Sequence, residues 1–163
     1  MTQPLILSLE ESRDPSLVGG KAVGLSRLLA AGFAVPPGLC VPTTVYNQTL
    51  AGGGINAEAV WRRILQASQE ERSQELSRVH ACLLKQAWPA GFQFALERRL
   101  AELTPDPTIP WAVRSSATNE DVEQASAAGL YHTSLGLSSS QVLRGICDCW
   151  LSLWTEAALE YAL

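Results

Sequence analysis

Apolar positions along this chain of 163 residues fall into short dense runs and longer periodic ones. The short runs read as strands: Leu5-Ile6-Leu7-Ser8-Leu9, Leu39-Cys40-Val41, the segment carrying Ala112-Val113-Arg114, and a stretch near Tyr131 to Leu137. The periodic runs read as helices. The first helix is predicted from about Lys21 to Ala31 on Val23, Leu25, Leu28 and Leu29, with Gly32 just past its end. Glu10 to Gly20, containing Asp14-Pro15, reads as a polar connection before it. Val35-Pro36-Pro37-Gly38 is a rigid turn. A short helix follows to about Leu50 with Thr43 or Thr44 as its cap, and Ala51-Gly52-Gly53-Gly54 then reads as a flexible loop. Two helices fill Asn56 to about Gln86, parted near Ser68-Gln69-Glu70, and another spans Ala90 to Leu103. Thr104-Pro105-Asp106-Pro107 stiffens the link to the later strands. Ser138-Ser139-Ser140 caps one last helix, predicted to run to the C-terminus, whose Trp150 and Trp154 form a core-facing stripe.

The hydrophobic content of 47% and charged content of 17% provide for a buried core, in one domain or a large part of one. The net charge of -4 argues against a general nucleic-acid binder, and no basic stretch interleaved with aromatics is present. No apolar run is long enough to span a bilayer, and no signal peptide is recognisable, so a cytoplasmic protein is expected. Cys40, Cys82, Cys147 and Cys149 do not have zinc-ligand spacing. Cys147 and Cys149, two apart in a predicted helix, point to different faces and read as reduced, partly buried thiols. His80 reads as a surface or partly buried helix residue.

The chemistry is concentrated in Trp111-Ala112-Val113-Arg114-Ser115-Ser116-Ala117-Thr118-Asn119-Glu120-Asp121, followed by Ala125-Ser126-Ala127-Ala128-Gly129. A strand delivers one arginine, then come small hydroxyl residues, an acidic turn and a small-residue loop. The guanidinium is always charged and fits phosphate oxygens as a planar fork. Small residues let backbone N–H groups approach a ligand and cradle phosphate. The pattern points to a nucleotide phosphate site. Lys21, one of the chain's two lysines, stands near a predicted helix start, where a point charge would add to free amides.

Two blocks carry a family resemblance. "VRSSATNED…ASAAG" resembles the "VRSSAT-x-ED…ASFAG" block of the pyruvate phosphate dikinase and phosphoenolpyruvate synthase family, which includes the rifampicin phosphotransferases. Gly19-Gly20-Lys21 through Leu25, then Gly32 through Gly38, resembles the family's "GGKxxxL…GxxVPPGF" block, in the same order and at about the same separation. Leu130 and His132 depart from the family's "AGQxET", where many members have glutamine and glutamate.

The resemblance implies a mixed α/β fold: part of an ATP-grasp-type nucleotide-binding domain, with a small, partly antiparallel sheet, flanking helices and a helical insert at about 55–103. It implies ATP as ligand, bound by Lys21, Arg114, Gly129 and Thr133, with Gly19, Gly20, Ser115, Ser126 and Ala128 supporting the phosphate loop. Mg2+ ligands are expected outside this chain, and Glu120 and Asp121 are expected to shape their turn. His132 is not expected to be phosphorylated, since the family's phosphohistidine lies in a separate domain. The chain is expected to be the N-terminal part, a fragment, of a phosphotransferase acting on pyruvate, rifampicin or a similar acceptor, possessing no catalytic residue of its own. A second chain would carry the rest. The alternative is an inactive truncated module kept for protein contact or regulation. If the missing half normally covers the Trp150/Trp154 stripe, the stripe is expected to lie exposed.

Overall fold

Capping residues and turns mark where each element begins. The protein's structure, a computed structural model, describes residues 4–116 and 132–162. It is a mixed α/β fold in which helices surround two small antiparallel sheets. β1 (Leu7–Ser8) pairs with β2 (Leu39–Cys40), Leu7 opposite Cys40. α1 (Pro15–Ala30) connects them along the chain and starts earlier than the apolar pattern predicts. Asp14-Pro15 is a helix-start pair, not a connection. Asp14 Oδ1 accepts the Ser16 N–H at 2.9 Å, and Pro15 fills a first-turn position that needs no donor. α1 is kinked at Gly19, so the predicted start near Lys21 matches its second segment.

α2 (Thr43–Gly52) has Pro42 at its N-cap and no side-chain cap. Thr43 Oγ1 instead donates to the Ser16 carbonyl at 3.2 Å, which ties α2 to the start of α1. The predicted glycine loop is partly helix. α2 extends through Gly52, and the Gly53 and Gly54 amides close its end on Leu50 and Ala51. α3 (Ala57–Ile64) and α4 (Gln69–Leu84) part at the predicted place. Ser68 and Glu71 form a capping box, with the Glu71 carboxylate accepting the Ser68 N–H at 2.7 Å. α5 (Phe92–Leu103) leads to β3 (Trp111–Arg114), which pairs antiparallel with β4 (Thr133–Leu137) across an irregularity between Trp111 and Val113.

A 3-10 turn at Ser139–Gln141 opens α6 (Val142–Ser152). The single last helix of the sequence reading is two, because the chain turns at Leu153 to Thr155 before α7 (Glu156–Ala162). Thr155 Oγ1 accepts the Ala158 N–H at 3.1 Å and caps the new helix.

That turn closes the core. Trp154 is 0% exposed, its indole N–H donates to Tyr46 Oη at 2.6 Å, and its ring centroid lies 5.1 Å from that of Trp61. His80 Nε2 donates to the Trp154 carbonyl at 2.8 Å. Trp150 is half-buried against Tyr46 and Trp88. Of the Trp150/Trp154 stripe, Trp154 is thus buried and Trp150 half-buried by this chain's own helices, so the stripe does not lie exposed. Leu50, Val60, Ile64, Val79, Leu83 and Cys147 pack in the same cluster. A second cluster joins Phe92, Leu96, Leu100, Val142 and Ile146 to the inner residues Trp111 and Val113 of β3. α6 contributes to both, and it lies flush against β3 and β4. A side chain at its Gly145 would meet Leu137 Cδ1 at 2.7 Å and Val113 Cγ2 at 3.2 Å.

Candidate functional site

Two segments far apart in sequence meet at the kink of α1. Ser116 follows the end of β3, and its carbonyl lies directly against Gly19. Gly19 stands at φ +73° and ψ 169°, and a Cβ there would overlap the Ser116 carbonyl. Only glycine permits both the backbone angle and the approach. Ser116 Oγ also accepts the Ala22 N–H at 3.1 Å. Ala22 lies in the first turn after the kink, where amides lack partners from their own helix. The second segment of α1 is therefore capped by a hydroxyl from the other motif block.

The kink presents Lys21 on an exposed position of α1. Its charge is felt at Cys149 on α6. Burial pushes that thiol up to about 11 and Asp148 adds to the rise, while Lys21 opposes it. Cys149 Sγ donates toward the carbonyls of His132 at 3.3 Å and Val113 at 3.7 Å. Cys147 faces the other way, donating to the Leu83 carbonyl at 3.5 Å, as the spacing of the pair predicts. Burial also pushes Cys40 up to about 11.

Arg114 ends β3 directly opposite Thr133, which begins β4. Opposed residues of an antiparallel pair share one face, and both of these are exposed on the face turned away from α6. The Arg114 guanidinium makes no hydrogen bond or ion pair among the described residues. The structure thus sets Gly19 and Ala22, which flank Gly20 and Lys21, against Ser116, which follows Ser115 and lies two residues beyond Arg114 and its strand partner Thr133. The contact to α1 comes from Ser116, and not from Ser115, which the family resemblance assigns to the phosphate loop. A pair of serines after an arginine was the available signal, without a way to choose between them. Ser126, Ala128 and Gly129, like Glu120 and Asp121, lie outside the described residues.

His132 is exposed and locally engaged. Its N–H donates to Ser152 Oγ at 3.1 Å, and its Nε2 lies 2.9 Å from Ser134 Oγ. It lines a shallow hollow of about 330 Å3 with His80, Asp148 and Thr155. A larger groove of about 590 Å3 runs along Gln86 to Glu97, away from both motif blocks and without a basic residue in its lining. Lys21 and Arg114 belong instead to the two blocks that meet at the junction. No group of three or more His, Cys, Asp or Glu among the described residues is placed to hold a metal ion.

A family model described as pyruvate phosphate dikinase, AMP/ATP-binding domain, matches residues 15–163. This chain belongs to that family. It is 34% identical to the phosphoenolpyruvate synthase of Aeropyrum pernix over 170 residues, covering 99% of this chain and 21% of that protein. It is 33% identical to a rifampicin phosphotransferase of Streptomyces sviceus (99% of this chain, 19% of that protein). It is 32% identical to the prodigiosin synthesizing transferase PigC of Serratia marcescens (96% of this chain, 16% of that protein). The chain thus spans about a fifth of the length of these relatives. No helix among the described residues is long and apolar enough to cross a membrane.

Proposed function

We propose that this chain supplies the phosphate-binding part of an ATP site in a dikinase-like phosphotransferase. The observation that supports it most is the Gly19–Ser116 junction, which sets the Lys21 block of the family domain against the Arg114 block. Lys21 would act as a compact point charge and Arg114 as a planar fork, together neutralising the charge that spreads over phosphoryl oxygens during transfer. Thr133, opposite Arg114, would add a hydroxyl or backbone contact, and Ser126, Ala128 and Gly129 would add backbone donors, as the family resemblance implies. Mg2+ would enter with ATP, and its ligands are proposed to come from outside this chain, as the family resemblance implies.

On this reading residues 1–163 form the N-terminal portion of an AMP/ATP-binding domain of ATP-grasp type, with the helices of about 55–103 as its variable part. An ATP phosphate would pass to a histidine on another domain and then to pyruvate or a similar acceptor. The histidine and acceptor domains, on the same or a second chain, would complete the reaction. A cytoplasmic location fits reduced thiols such as Cys147 and Cys149. One observation favours a second reading, an inactive module kept for protein contact. His132, at the place of the family's glutamate, is engaged with Ser134 and Ser152.

Calorimetry with MgATP distinguishes the two. Binding to the wild-type chain that weakens at least about tenfold in Arg114→Ala, or about 1.4 kcal/mol, is the expected result for loss of one charge-assisted phosphate contact. A folded wild-type protein, alone or with the completing domains, that binds no MgATP contradicts the ATP reading. So does an Arg114→Ala variant of unchanged affinity.

A further inference from the structure

The second segment of α1 begins at a residue without a side chain, so it lacks a local cap. Its Ala22 amide is instead satisfied by Ser116 Oγ at 3.1 Å, from a residue 94 positions away. The same serine's carbonyl fills the space that a side chain at Gly19 would occupy. We infer that Ser116 is a positioning residue for Lys21: its hydroxyl and carbonyl clamp the first turn of this segment, so that the backbone from which the lysine side chain springs is held in place beside the Arg114 block. This rests on the ATP reading above and deepens it. The serine itself need not touch nucleotide.

The clamp has two parts that act at the start of the segment and within its first turn. The carbonyl contact at Gly19 sets where the chain enters the helix, and the hydroxyl bond at Ala22 sets how the first turn is wound. Lys21 lies between them, so its Cα is bracketed on both sides by one residue of the other block. Ser116 in turn is two residues beyond Arg114, on chain held by β3–β4 pairing at Arg114–Thr133. Removing only the hydroxyl leaves the carbonyl contact and the sheet intact. The lysine then explores more positions, and its favourable interaction with phosphate falls by the share that ordering provided.

The test is a double-mutant cycle read by ATP affinity. Ser116→Ala weakens MgATP binding by about three- to tenfold, the loss expected for one neutral hydrogen bond. In a Lys21→Ala background the same substitution has little further effect, since there is no ammonium left to position. Ser116→Thr, which keeps the hydroxyl, binds like the wild type and covers the case in which the alanine variant fails to fold. The inference is overturned if Ser116→Ala binds as the wild type does, if its loss recurs in full without Lys21, or if Ser116→Thr is as weak as the alanine variant. If the wild type itself binds no ATP, the ATP reading fails and with it the role toward phosphate. Amide exchange at Ala22 separates that failure from failure of the clamp: faster exchange in Ser116→Ala retains the clamp, and unchanged exchange removes it.

Discussion

At Gly19 the backbone stands at φ +73° and ψ 169°, a region almost closed to residues with a side chain. Alanine there meets two costs, the angle itself and overlap with the Ser116 carbonyl. The first is about 1–3 kcal/mol, and the second cannot be relieved by rotating a side chain, because the obstacle is backbone. Gly19→Ala should therefore lower stability by about 2 kcal/mol or more in urea unfolding and displace Lys21. A change below about 0.5 kcal/mol would show that the junction is loose. The double glycine was visible in the sequence as part of a motif. Its physical reason was not, since that depends on a serine in another block. The family resemblance assigned Ser115 and not Ser116, and neither spacing nor composition says which of two adjacent hydroxyls faces a neighbour. Asp14-Pro15 was legible in principle as an N-cap and a first-turn proline, and was hidden by the polar residues around it.

Among the elements, α6 does most to set the site's geometry. It packs into both main clusters and backs β3 and β4, so the face bearing Arg114 and Thr133 is held from behind. Gly145 lets it approach that closely. Alanine is the better helix former by about 0.5–1 kcal/mol, but overpacking typically costs about 1–3 kcal/mol. Val113 stands on stiff strand backbone and has little room to yield. Gly145→Ala should thus be net destabilising by about 1 kcal/mol in thermal unfolding, and stabilisation would show that the helix and sheet have slack between them. Helix periodicity found α3, α4 and α5 to within a few residues, because their apolar stripes and the Ser68 capping box are local signals. The break before α7 is a tertiary effect. Leu153 to Thr155 leave the helix where Trp154 enters the core and Thr155 recaps the chain, and no proline or glycine announces it.

Over the whole molecule, the mixed α/β fold and the family were both legible in two short blocks. How those blocks meet was not, because the contact joins residues 94 positions apart. The described fold buries Trp154, bonded to Tyr46 and His80. What it leaves open is the exposed face of β3 and β4 beside the kink of α1. The proposed ATP site, with Ser116 clamping the helix of Lys21 beside Arg114, makes a specific demand: both blocks must respond to the same ligand at the same concentration. The measurement to make is an ATP titration followed by amide NMR on the labelled protein. The account predicts that Gly20, Lys21 and Ala22 shift together with Arg114, Ser115 and Ser116, all with one dissociation constant. Shifts confined to one block, or shifts in the two blocks with different constants, would contradict it.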